Sequence, residues 1–353
     1  MSPTELKRSR VQLHADHVSN VSSMDFPGTV TTGDGDDDLS WSLDRFKQSF
    51  DINITSLDPM TLTFDMINVD ASIANAFRRI MISEIPTLAI ERVYVAENTG
   101  VMQDEVLAHR LGLIPIRADA RLFEYFDPAS QTATDLNTVV LNIDARCERN
   151  PAAPDDTVDP YQKYTHFAVT SADMTWVPQG FQAEAFAVNP IEPVTRDILI
   201  TKLRPGQAVK CELHCQKGIG KSHAKWSPVA TASYRLLPEI TLLQPIVGAA
   251  ETEAFRKCFP EGVIGVAKNA DGEPEAYVKN PRLDTMSREV LRHPQFADKV
   301  RLTRVRNHFL YTVESTGIYD PHVIVAQAAD VLIEKCKAMR KALVEVTQLG
   351  VEV

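Results

Sequence analysis

The stretch Asp70-Ala-Ser-Ile-Ala-Asn-Ala-Phe-Arg-Arg-Ile-Met-Ile-Ser-Glu-Ile-Pro86 decides the reading of this chain. It spells one short amphipathic helix with both ends marked. Asp70 suits the N-cap, because its carboxylate accepts hydrogen bonds from the first free backbone N–H groups. Ile73, Phe77, Ile80 and Met81 recur at helical spacing and form one apolar stripe. Pro86 has no N–H and pushes Ile85 out of the α region, so the helix ends before it. Arg78 and Arg79 point about 100° apart. Both cannot lie on the stripe, so at least one guanidinium faces another partner.

Working outward, Ile52, Ile54 and Leu57 alternate with polar residues, and Leu62, Phe64, Met66 and Val69 follow a turn at Asp58-Pro59. Period-two spacing around a proline turn predicts a β-hairpin feeding the helix. Leu88–Val95 reads as the next strand. Asp104–Ile116 reads as a short buried helix closed by Gly112 and Pro115. Short alternating segments with Pro and Gly turns between 119 and 215 predict a mostly β region. The segment 250–300 is polar and turn-rich and says little.

Near the end, Phe309, Tyr311 and Val313 alternate as a strand, and Asp320-Pro321 marks a helix start. Val325, Ala328, Leu332, Cys336, Met339 and Leu343 then form a near-heptad stripe on a helix running to about Leu349. Six such positions facing water would be a large exposed apolar patch. The two stripes either pack within the chain or form an interface, and residues alone leave both options open.

The chain has 353 residues, 44% of them hydrophobic, and a formal net charge of −10. That length suggests two domains, or one with a large insertion. An acidic chain is a poor candidate for autonomous nucleic-acid binding, which needs a basic face. There is no apolar run of transmembrane length and no apolar stretch after Lys7, Arg8 and Arg10, so neither a membrane span nor a secretory signal is expected. Five cysteines at irregular spacing point to a reducing compartment. Residues 1 to about 45 are polar, with Gly33-Asp-Gly-Asp-Asp-Asp38, and read as a flexible arm. Trp41, Leu43 and Phe46 are its candidate anchors.

Three motifs tempt a chemical reading. Cys211, His214 and Cys215 suggest a metal, but a structural zinc needs four ligands, usually in Cys pairs, and no second pair follows. They read as core cysteines with a histidine on the other strand face. Cys215-Gln-Lys-Gly-Ile-Gly-Lys-Ser222 misses the first glycine of the phosphate loop, and His223–Val229 is a poor helix. His109 and Arg110 sit on a packed helix, where a structural role outweighs catalysis. Lys217, Lys221, His223 and Lys225 make a basic loop, either solvated or touching a large neighbour.

Four segments resemble the α-type subunits of cellular RNA polymerases: the Asn75-Ala-Phe-Arg-Arg-Ile80 helix, Val106-Leu-Ala-His-Arg-Leu-Gly-Leu-Ile-Pro115, His223–Tyr234 and Val305–Pro321. The resemblance runs from about residue 50 to the end. It implies an α+β fold, a dimerisation domain of sheet plus two helices interrupted by a mostly β insertion. The expected divisions are a flexible acidic tail (1–47), a first dimerisation-domain segment (48–86), the insertion domain (87–232) and a second dimerisation-domain segment (233–353).

The absence of a Cys-rich loop in the insertion departs from the RNA polymerase II counterpart. The N-terminal extension and the Lys217–Pro228 run resemble the larger α-like subunit shared by RNA polymerases I and III. The resemblance implies a nuclear and nucleolar assembly scaffold for transcription of ribosomal RNA, 5S RNA and tRNA genes, and so for ribosome biogenesis. It implies no catalytic residue, cofactor or metal in this chain. Its implied partners are a smaller α-like subunit, the large catalytic subunits and the small zinc-binding subunits. Ile73, Phe77, Ile80, Met81, Val325, Ala328, Leu332, Cys336 and Met339 are the implied dimer interface, and Arg78 and Arg79 the implied large-subunit contact. The RNA polymerase II counterpart is the alternative within this class. A nucleotide-binding protein using Gly218–Ser222 and a standalone metal module are the alternatives outside it.

Overall fold

The structure is a computed structural model, which describes residues 10–20, 42–129, 132–154 and 156–348. The chain enters with strands β1 (Arg10–Leu13) and β2 (Val18–Ser19), followed by helix α1 (Leu43–Ser49). Strands β3 (Asp51–Leu57) and β4 (Thr61–Ile67) form the expected hairpin and lead into helix α2 (Ala71–Ser83). Next come β5 (Pro86–Asn98), helix α3 (Asp104–Gly112), β6 (Thr138–Arg146), β7 (Thr175–Val177) and β8 (Ala208–Ile219). The chain then runs through β9 (Val229–Leu242), helix α4 (Ala249–Lys257) and the pair β10 (Ile264–Lys268) and β11 (Pro274–Val278). It closes with β12 (Val300–Ser315) and helix α5 (Pro321–Gln348).

The chain divides into two compact units. The first holds Met1–Ser56, Thr63–Asn75 and Ser233–Thr312; the second holds Leu57–Leu62, Ala76–Ala232 and Val313–Val353. Most of α2 and the closing helix group with the second unit. The sequence reading instead assigned 48–86 and 233–353 to one domain.

The first unit is built on an antiparallel sheet of order β2-β1-β12-β4-β3, with β9 also paired to β12. Of the expected flexible tail over 1–47, residues 1–9 and 21–41 lie outside the described residues, and Arg10–Leu13 form a strand of this sheet. Val11 lies opposite Arg304 and Leu13 opposite Leu302. Leu13 is buried with Leu302, Phe255 and Phe296. The Arg10 guanidinium donates to Glu239, Nε to Oε2 at 2.6 Å. A four-residue alternation is too short to stand out in a polar arm, yet β12 supplies a ready sheet edge for it. Of the proposed anchors, Trp41 lies outside the described residues, Leu43 is exposed, and Phe46 stacks on Phe50 at 5.2 Å. Opaque in the sequence, residues 250–300 fold as α4 against the β10–β11 pair around Phe255, Phe259 and Phe296. The unit also buries Asp65. Burial would raise its pKa, but two bonds from Arg282 (2.6 and 2.5 Å) and one from His308 (2.9 Å) outweigh that and keep the carboxyl below the usual range.

The second unit carries a four-stranded sheet of order β7-β6-β8-β5. Leu213 of β8 lies between Leu141 and Val93. Its inner face buries Val139, Leu141, Cys211, Leu213 and Cys215 with Leu107 and Leu111 of α3. Alternation along β8 puts Lys210 and Glu212 on the outer face, as period-two geometry requires. Among the described residues, no helix is long and apolar enough to cross a membrane.

Candidate functional site

Helix α2 is capped as its sequence requires: the Ser72 N–H donates to Asp70 Oδ1 at 2.8 Å. It ends where the Glu84 N–H meets the Ile80 carbonyl at 2.9 Å, just before Pro86. The stripe, however, has two fates. Ile73 is 38% exposed and Phe77 half-buried, whereas Ile80 and Met81 are buried within the chain. Arg78 is half-buried and Arg79 exposed.

What meets the end of α2 is the Gly-rich turn after β8. The Lys221 N–H donates to the Ser83 carbonyl at 2.8 Å. A Cβ on Gly220 would lie 2.4 Å from the Ile82 carbonyl oxygen, and one on Gly218 would lie 2.3 Å from the Trp226 ring. These glycines therefore serve close packing, not a phosphate. The following residues form a 3-10 turn, Ala224–Trp226, where a phosphate loop needs an α-helix. The basic loop is partly tied inward as well. Lys217 donates to the Phe123 carbonyl at 2.7 Å, and Lys225 to the Ile90 carbonyl at 2.9 Å and to Glu91.

Helix α5 starts at Pro321, with the Val323 and Ile324 N–H groups both directed at the Asp320 carbonyl. Its first turns are packed: Ile324, Gln327 and Ala328 are buried, and Val325 and Leu332 half-buried. From Ile333 to Val346 every residue is exposed. Cys336 is exposed, Met339 is 77% exposed, and Leu343 and Val344 are more than half exposed. Lys335 reaches both oxygens of Glu84 at 2.8 Å. A 28-residue helix is about 42 Å long, so roughly its second half presents an apolar stripe to water. Of the nine expected interface residues, three are buried within the chain. Ile80, Met81 and Ala328 are core, because the fold covers the inner part of each stripe. Ile73, Phe77, Val325, Leu332, Cys336 and Met339 retain at least partial exposure.

Sequence periodicity missed a further surface. Strand β3 ends the sheet of the first unit, and all seven of its residues are exposed. Ile52 and Ile54 are thus uncovered, Ile54 at 58%. A long apolar edge strand is a template for another chain unless something covers it. Its alternation was readable; its position at the edge was not.

The remaining candidates resolve into structure. Arg110 donates to the Ile200 and Leu199 carbonyls at 3.0 and 2.6 Å, and His109 is exposed. Burial pushes the Cys211 thiol up to about 11 and the Cys215 thiol up to about 12, against metal-binding thiolates at neutral pH. His214 pairs with Glu212 at 2.7 Å on the outer face. Among the described residues no cluster of three or more potential metal ligands occurs.

Comparison with known proteins bears on these surfaces. The family model described as the RNA polymerase Rpb3/Rpb11 dimerisation domain matches residues 63–336. The chain is 50% identical over 333 residues to the human DNA-directed RNA polymerases I and III subunit RPAC1, covering 94% of each. It is 48% identical to the Saccharomyces cerevisiae subunit of that name, covering 94% of this chain and 97% of the relative. Similarity to the Arabidopsis thaliana subunit 3 of DNA-directed RNA polymerases II, IV and V is lower, 31% over 82% of this chain and 90% of the relative.

Proposed function

Because this chain belongs to the RNA polymerase Rpb3/Rpb11 dimerisation family, we propose that it is the larger α-like assembly subunit of RNA polymerases I and III. It acts in the nucleus and performs no catalysis of its own. Its identity to the subunits shared by polymerases I and III exceeds its identity to the plant subunit of II, IV and V by about twenty percentage points. That difference weighs against the polymerase II alternative.

The observation that carries the mechanism is the uncovered half of α5. Met339 and Leu343 stand in water on a helix whose first turns are packed. Covering such residues contributes about 1.5–3 kcal/mol each, so a protein that faces this stripe gains affinity without any catalytic group. A smaller α-like chain is its partner, making a heterodimer through Ile73, Phe77, Val325, Leu332, Cys336 and Met339. Arg79 is exposed and Arg78 half-buried beside that surface, and the pair docks a large catalytic subunit, whose chemistry remains its own. Small zinc-binding subunits complete the neighbourhood. The pool in polymerase I works in the nucleolus, in ribosome biogenesis. By the family's division, as distinct from the two compact units, the dimerisation domain comprises 48–86 and 233–353, with 87–232 inserted.

Affinity purification of the tagged full-length chain with mass spectrometry tests this. The large subunits of polymerases I and III and a smaller α-like chain are expected together. Recovery of polymerase II large subunits in their place, or of no polymerase chain, overturns it. Arg78→Ala with Arg79→Ala should keep the small partner and reduce the yield of large subunits several-fold. Full recovery of the large subunits would refute the arginine contact.

A further inference from the structure

The second unit contains a cavity of about 440 Å³ that the dimer surface does not use. Its walls are aromatic: Tyr125, Phe126 and Trp226. Two cations belong to it. The Arg92 guanidinium lies 4.6 Å from the centre of the Phe126 ring, and the Lys217 ammonium 4.9 Å from that of Tyr125. The wall residue Glu91 is already taken, by Lys225. Asp119, the carboxylate acting on Lys217, is held by Arg121 at 2.7 Å. Lys217 is further bound to a carbonyl, not to a carboxylate. The cavity is therefore a positively charged aromatic pocket on a chain of net charge −10.

One more polar residue borders the cavity. Gln216 lines the cavity and is almost wholly buried, and its side-chain N–H₂ group has no acceptor among the described residues. Buried amides of this kind are normally paired. Cations stacked on rings retain their charge while presenting apolar surface around it. The complementary ligand offers a carboxylate flanked by an apolar side chain. A nucleic acid would need a basic track, which so acidic a chain does not supply.

We infer that this pocket docks an acidic segment of another polymerase chain, an Asp or Glu beside a large apolar residue, with the carboxylate between Arg92 and Lys217. The inference rests on the assembly role proposed above and adds a further electrostatic contact to the apolar dimer surface and the Arg78–Arg79 contact.

Photo-crosslinking in the assembled polymerase tests it. The photoreactive residue p-benzoylphenylalanine replaces Tyr125 in one full-length variant and Met339 in another, and crosslinked peptides are sequenced by mass spectrometry. The Tyr125 probe should capture a peptide with Asp or Glu within a few residues of the crosslink. Arg92→Glu with Lys217→Glu should reduce that crosslink at least tenfold while leaving the Met339 crosslink unchanged. A Met339 crosslink to the small partner without any Tyr125 crosslink overturns the pocket and leaves the assembly role standing. Capture of a nucleic acid, or of a peptide lacking acidic residues, also overturns the pocket. Failure of both probes to reach any polymerase chain overturns both readings.

Discussion

Helices α2 and α5 carry apolar stripes of similar pattern, and the fold treats them oppositely. On α2 the C-terminal end is covered: Ile80 and Met81 are buried, and the turn through Gly220 packs on Ile82 and Ser83. On α5 the N-terminal end is covered, and everything from Ile333 to Val346 faces water. Hydrophobic periodicity is the same signal in both. The difference teaches that a stripe records which face seeks burial, and the rest of the chain decides how much of it remains for a partner.

The strongest way to break this contrast is to place one charge on each stripe. Met81→Asp buries an unpaired carboxylate and should cost more than about 4 kcal/mol, seen as loss of the cooperative melt. Met339→Asp should leave the melt of the isolated chain unchanged and weaken the heterodimer at least about 100-fold, since 1.4 kcal/mol is tenfold in affinity. Calorimetric melts and binding titrations check the pair. If both variants unfold the chain, or if Met339→Asp leaves the affinity intact, the contrast is wrong.

Thiol labelling sharpens it without mutation. Cys147, Cys211, Cys215 and Cys258 are buried and Cys336 is exposed on the α5 stripe. The Cys211 and Cys215 thiols, held at about 11 and about 12 by burial, stay protonated at pH 8. Labelling of the native chain with a disulfide reagent should therefore modify one thiol quickly and the other four only on unfolding. Binding of the small partner should slow the fast phase at least tenfold; an unprotected Cys336 would place the interface elsewhere.

Gly220→Ala probes the cover on α2. Its methyl would meet the Ile82 carbonyl oxygen at 2.4 Å, so the turn must shift, at about 1–3 kcal/mol, the usual range for overpacking. Hydrogen exchange should rise at the end of α2 and not along α5. The smallest effect belongs to Lys335→Ala. The ammonium reaches Glu84 on a half-exposed surface, and exposed pairs contribute within about 1 kcal/mol. A large loss of stability there would mean that the ion pair, not packing, fixes α5.

Much of the architecture was legible because its cues are local. Asp70 caps α2 and Pro86 stops it; Asp320 and Pro321 open α5; alternation gave the hairpin before α2 and the strand through Phe309 and Tyr311. The short strand Arg10–Leu13 was not legible, because four residues gain strand identity only from the edge they pair with. The exposure of β3 escaped for the same reason, since a strand's rank in a sheet is not written in its residues. The cavity around Tyr125 joins residues 91–92 and 216–219, which the pairing of β5 with β8 brings together, to the loop 125–128 and to Ser222 and Trp226, which lie in neither strand.

By itself the sequence determined helix ends, strand periods and the faces that avoid water, since each follows from the dihedral and hydrogen-bonding limits of neighbouring residues. Tertiary structure alone decided that Ile80, Met81 and Ala328 are core while Met339 and Leu343 are surface. Burial is a property of the contacts made by distant segments, and two residues with the same local pattern acquire different fates when only one of them is reached.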